Sequence, residues 1–200
     1  GSSRSLQKRI FLYGYLSNAD FISEEWGVYN TFLNCEDFTL SPYGQVKKEF
    51  IDFVEKYVEK YSQNPFLWEK NLDTNQWEPT TYEDTLKIAK RVAAGLMALG
   101  VQKGEKVAYL SEGRNMWVIG ELGVLYAGAV NVPLSIKLGE TNDLVFRVKH
   151  SDSKYVITSK FQLPKIRKVL PECPMVEKVI IFDRIDDMKE NEIYIGDIIE

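Results

Sequence analysis

His150 is the only histidine of this 200-residue chain, and Cys35 and Cys173 are its only cysteines. An imidazole acting as general base needs a nucleophile or partner acid within reach, and no motif places one beside His150. It closes a helical stretch that also carries Arg147 and Lys149, where an imidazole favours the helix macrodipole or caps a carbonyl. The cysteines are too far apart for a disulfide framework and lack the close Cys/His spacing of a zinc site. They read as free thiols of a reducing cytosol. Asp183, Asp186 and Asp187 are hard-cation ligands by type, but no glycine turn or bidentate pattern accompanies them. They read as part of a solvated acidic connection over residues 183–192. Glu112 and Arg114 directly follow a strand-like run, where open α/β sheets bind ligands. The plainer reading of that pair is a salt-bridged loop.

Phosphate-binding loops are the next chemistry to look for. A dinucleotide fingerprint needs three glycines after a strand, so that backbone amides approach the pyrophosphate. The loop Ser111-Glu-Gly-Arg-Asn115 offers one glycine and a carboxylate. No G-x-x-x-x-G-K-[ST] loop occurs. Gly120 and Gly123 follow no strand; they sit inside an apolar helical run and read as packing notches. A formal charge of -4, with Lys and Arg scattered, leaves no footprint for nucleic acid or an anionic membrane. No apolar run reaches the roughly 18 residues of a spanning helix. With 44 % hydrophobic and 27 % charged residues, the chain is globular rather than disordered or fibrous.

The elements that would position these residues follow from periodicity. Gly1-Ser2-Ser3 resemble an added leader and Ser17-Asn18-Ala19 a cloning scar, so residues 1–19 lie outside the fold argument, and 20–45 form an aromatic arm without a clean period. Val46, Phe50, Phe53, Val54, Tyr57, Val58 and Tyr61 recur at helical spacing, and Asn64-Pro65 ends that helix. Phe66–Glu69 and Gln76–Pro79 flank a polar turn and predict a hairpin. A second helix follows, capped by Thr80 with Glu83 in a capping box or by Thr81. It buries Leu86, Ala89, Val92, Ala93, Leu96 and Met97 and stops at Gly100. Then strands at Lys106–Leu110, Val130–Leu134, Tyr155–Thr158 and Val176–Phe182 alternate with helices at Met116–Ala127, from Gly139-Glu140-Thr141 to His150, and Phe161–Leu170. Parallel strands need such crossovers. The fold class is therefore α/β, a mainly parallel sheet with helices on both faces.

Trp77-Glu-Pro-Thr-Thr-Tyr-Glu-Asp84, the helix to Leu99-Gly-Val101 and then Lys103-Gly-Glu-Lys-Val107 resemble the first core motif of adenylate-forming (AMP-binding) enzymes. Gly123, Tyr126, Gly128, Val130, Asn131, Pro133 and Leu134 are similar to their second. His150-Ser-Asp-Ser-Lys-Tyr-Val-Ile-Thr158 resembles the strand entry that follows. Order and spacing match from residue 46 to about 183, most like the N-terminal part of a bacterial long-chain fatty acid–CoA ligase.

The resemblance implies an N-terminal segment, residues 46–200, that stops before the phosphate loop. It implies ATP, Mg, coenzyme A and a fatty acid as cofactors and substrates of the longer parent, in the cytoplasm, with peripheral membrane contact and a homodimer left open. Both motifs are architectural, so no residue here takes a catalytic, cofactor-binding or metal-ligating role. The fragment itself is expected to be inactive and to bind none of the cofactors. The competing reading is a stand-alone, non-catalytic α/β binding or dimerisation module. Asp197-Ile-Ile-Glu200 breaks off inside a structural element, which favours the first.

Overall fold

The computed structural model describes residues 44–71, 73–138 and 142–199. Cys35, the leader and the arm before residue 44 lie outside the described residues, as do Gly139-Glu140-Thr141. Helix α1, Gly44–Tyr61, leads to an antiparallel hairpin of β1, Pro65–Lys70, and β2, Trp77–Thr81. Helix α2, Tyr82–Ala98, follows directly. Thr81, not Thr80, is its N-cap: the Thr81 hydroxyl accepts the Asp84 N–H at 3.0 Å, and the Asp84 carboxylate accepts the Thr81 O–H in return. Thr80 is still in β2, and its hydroxyl accepts from Asn115 Nδ2 instead. The Thr80–Glu83 capping box is therefore not formed.

From α2 onward the chain alternates. Strand β3 is Lys106–Leu110, α3 Asn115–Tyr126, β4 Val130–Pro133, α4 Asn142–Ser151 and β5 Tyr155–Thr158. Next come α5, Leu163–Val169, with a 3₁₀ turn behind it, and β6, Lys178–Ile181. Strand β7, Glu192–Tyr194, and α6, Ile195–Ile199, complete the order. The five strands β3 to β7 form one wholly parallel sheet in the order β4-β3-β5-β6-β7. Gly100 and Gly128 terminate α2 and α3 at φ +102° and +85°. The residue after each donates back into its helix, Val101 to Leu96 and Ala129 to Val124, a left-handed stop that a Cβ would disfavour.

Strand periodicity sorts the core into two halves. Val107, Tyr109, Tyr155, Ile157, Ile180 and Phe182 face α2, α3 and α6. Ala108, Leu110, Val156, Val179 and Ile181 face α4 and α5. Both faces of the parallel sheet are thus covered, as buried parallel sheets require. Within the first half α3 comes unusually close. A Cβ on Gly123 would stand 2.4 Å from Val92 Cγ1, and one on Gly120 would stand 2.3 Å from Tyr109 Oη. The two glycines are packing notches.

The fifth strand corrects the reading of residues 183–192 as an exposed acidic connection at the two ends of that stretch: Asp183 is half-buried and Glu192 buried, while Asp186, Asp187 and Glu190 between them are exposed. Glu192 opens β7, and its side chain is fully buried. Arg167 on α5 donates from Nε and Nη2 to the two Glu192 oxygens, at 2.8 Å each, and from Nη1 to Asp187 at 2.7 Å. Burial opposes the Glu192 charge. Arg167 and the Lys189 N–H outweigh it and hold the carboxyl below its usual range.

Two stability measurements test this packing. Leu96 is fully buried, and Leu96→Ala should cost about 2–5 kcal/mol in urea unfolding. Gly123→Ala should destabilise by overpacking, of order 1–3 kcal/mol, partly offset by helix propensity. Val92→Ala in the same chain should relieve that strain, so the two substitutions should couple in a double-mutant cycle.

Candidate functional site

The strand order sets where a ligand crevice can form. The chain leaves β3 for α3 on one face and leaves β5 for α5 on the other, so the sheet reverses its winding between them. Ligands of open α/β sheets bind at that reversal, beyond the strand carboxyl ends. Here the loops after β3, β5 and β6 bring Glu112 and Arg114, Ser159 to Gln162, and Asp183 to one edge of the sheet. Two of the sequence candidates, Arg114 and Asp183, meet directly although 69 residues apart: Arg114 Nη1 lies 2.9 Å and 3.1 Å from the two Asp183 oxygens. Asp183 also accepts the Lys160 backbone N–H at 2.9 Å. The Arg114 guanidinium lies over the Phe182 ring, 5.4 Å from its centroid. Asp183, with 15 % of its side chain exposed, is an ion-pair partner and not a solvated linker residue. Asp186 is exposed, and Asp187 belongs to Arg167.

Glu112, in the same loop as Arg114, is braced as well. Its carboxylate accepts Gln162 Nε2 at 2.5 Å, which ties the β3 loop to the start of α5. Burial pushes the Glu112 carboxyl up. Hydrogen bonds from Gln162, Ser159 and the backbone, with Arg114 nearby, overcome that and hold it below the usual 4.5. Thr158 Oγ1 donates to the Leu110 carbonyl at 2.8 Å, stitching β5 to β3 beneath the loops. Arg114 Nε and Gln162 Oε1 are buried here without a partner.

The remaining candidates lie elsewhere. His150 is in the last turn of α4, its ring stacked on Phe146 with centroids 5.3 Å apart. That turn leads into the start of β5, at the opposite end of the sheet from the crevice. Cys173, between α5 and β6, is buried, and burial pushes its thiol up. Among the described residues no group of three or more His, Cys, Asp or Glu is placed to hold a metal. No helix among them is long and apolar enough to cross a membrane. Sequence reasoning passed over Glu121, Glu192 and Gln162. For Glu121 a signal was present: it is the one charged residue in an otherwise uncharged α3.

The polar groups at this edge are largely spent on one another: Asp183 takes Arg114 and the Lys160 N–H, and Glu112 takes Gln162.

Residues 54–197 match the family described as AMP-binding enzyme. The chain belongs to the AMP-binding enzyme family. It is 25 % identical over 139 residues to a long-chain fatty acid–CoA ligase of Mus musculus, covering 68 % of the chain and 19 % of that relative. It is 29 % identical over 104 residues to a medium/long-chain fatty acid–CoA/3-oxocholest-4-en-26-oate–CoA ligase of Mycobacterium marinum, covering 52 % and 19 %. The chain thus spans about a fifth of the length of these curated relatives. Its fold matches the crystal structure of coronafacic acid ligase from Pectobacterium brasiliense with a TM-score of 0.66, at 23 % identity, over 74 % of this chain and 28 % of that one.

The crevice makes an acid-side prediction. A carboxyl whose native pKa is depressed stabilises the fold above its unfolded pKa, and that stability is lost as pH falls through the native pKa. Below pH 4.5 the wild type should lose stability more steeply than Glu112→Gln, which keeps the Gln162 bridge but does not titrate. Urea midpoints measured from neutral to acid pH check this.

Proposed function

We propose that this chain is the N-terminal α/β segment, residues 46–200, of an ATP-dependent long-chain fatty acid–CoA ligase, inactive on its own. The reading is supported by the shared identity with fatty acid–CoA ligases of an animal and a mycobacterium and by the family match over residues 54–197, which include both architectural motifs. In the proposed parent a fatty carboxylate attacks the ATP α-phosphate, releasing pyrophosphate and leaving an acyl-adenylate. The coenzyme A thiol then takes the acyl group and releases AMP. The parent would use ATP, Mg and coenzyme A, and a phosphate loop, magnesium carboxylate and mobile lysine outside this segment would supply the charge stabilisation that the step needs. This segment would contribute the braced sheet on which those parts are mounted.

Pyrophosphate release with palmitate, coenzyme A and Mg-ATP tests the proposal on two proteins: a protein of the relatives' length that carries this segment, and the 200-residue chain alone. Turnover by the long protein and none by the chain is the expected result. Failure of the long protein to activate any fatty acid would overturn the substrate assignment. Turnover or micromolar Mg-ATP affinity in the chain would overturn its inactivity.

A further inference from the structure

Helix α3 is enclosed on nearly every side. Gly120 and Gly123 press it against Tyr109 and Val92, and residues Ile119 to Val124 are all buried. Glu121 lies in the middle of that run with 6 % of its surface exposed. Its one bonded partner is the side chain of Asn131 in the edge strand β4, whose Nδ2 donates to Glu121 Oε1 at 2.7 Å. Each of the two groups has a second polar atom, Glu121 Oε2 and Asn131 Oδ1. Both are buried and neither has a hydrogen-bond partner.

Two acceptors left bare in one buried pair are costly. A single proton satisfies both. A carboxylic acid and a primary amide have matching widths, each with a donor and an acceptor on adjacent atoms. With one of the two bonds already in place, the other orphaned pair is the natural second.

We propose that Glu121 is carried as the neutral acid, and that its Oε2–H donates to Asn131 Oδ1 while Asn131 Nδ2–H donates to Oε1. This two-point clasp fastens the edge strand β4 to α3 and opens when the proton is lost to solvent. Among the described residues no cation competes for the carboxyl. Burial and the Asn131 bond are the influences on it, and burial, the larger, pushes it up to about 7. The charged residues of the elements packed on α3 include Glu83, Asp84, Lys87, Lys90 and Arg91 of α2, Glu69 and Lys70 of β1, Lys106 of β3, and Asp52 and Glu55 of α1, of which Glu55 accepts from Tyr126 of α3. None of them acts on it. β4 itself has no titratable side chain.

The sign is opposite to that of Glu112. A carboxyl whose native pKa is raised stabilises the fold fully below its unfolded pKa, and the contribution is lost as pH rises through the native pKa. Glu121→Gln replaces the acid–amide ring with an amide–amide ring that keeps both bonds and does not titrate. The variant should match the wild type in melting temperature at about pH 5 and exceed it at about pH 8. The Glu121 side-chain carboxyl followed by carbon NMR in the wild-type chain should titrate with a midpoint above about 6. A midpoint near the ordinary 4.5, or the same loss of stability with rising pH in Glu121→Gln, would overturn the proposal. If the variant does not fold, the wild-type titration alone decides.

Discussion

The approach of α3 to the sheet and to α2 is the contact on which most of this molecule depends. Two glycines set it. At Gly123 the helix surface is empty where Val92 of α2 enters, and at Gly120 it is empty where the Tyr109 hydroxyl enters. That hydroxyl donates to the Trp117 carbonyl at 3.0 Å, so β3 is hydrogen-bonded to the helix as well as packed on it. Burial holds the Tyr109 phenol far above its ordinary pKa and so keeps it a donor. A side chain at Gly120 would hold the helix off the sheet, and one at Gly123 would hold it off α2. Interior packing tolerates little such displacement.

Two consequences travel outward along α3. At its N-terminus the β3–α3 loop is drawn onto the carboxyl edge of the sheet, where Arg114 meets Asp183 and Glu112 meets Gln162. The reversal point of the sheet is therefore crossed by its own side chains. In its middle α3 has no solvent-facing side on which to place a carboxylate, so Glu121 is turned against Asn131 of β4. The crevice bracing and the buried acid are both results of how deeply one helix is seated.

The four long strands, the covering helices and the two notch glycines were legible in the sequence because periodicity and small-residue spacing are local signals. What was not legible required a partner from far along the chain. Strand β7 is three residues long and begins with Glu192, which reads as a loop residue until Arg167, 25 positions earlier, is brought against it. Asp183 reads as a linker acid until Arg114, 69 positions earlier, arrives. The helix cap turned on a single residue. Thr80 and Thr81 are equal by type; Thr81, the last residue of β2, meets the Asp84 N–H, while Thr80 is turned to Asn115. The family resemblance rested on motifs that shape the scaffold. It therefore located the fold well and located no reacting group.

The buried carboxyls of this fold show why burial alone does not set an acid's charge. Glu192 is more enclosed than Glu112, yet both are held ionised, the one by a two-pronged guanidinium, the other by an amide, a hydroxyl and a backbone N–H aimed at it with a cation close by. Glu121 has an amide and no cation, and burial prevails. The deciding quantity is the number of donors directed at the oxygens, since each must replace a lost water. Arg167 and Glu192 join α5 to the last strand, and Glu112 joins the β3 loop to α5, so the charged acids fasten one half of the sheet. The neutral one joins α3 to the opposite edge, β4. Protonation thus loosens the β6–β7 side and deprotonation the β4 side. The pH range over which both sides are fastened lies between the depressed and the raised carboxyls.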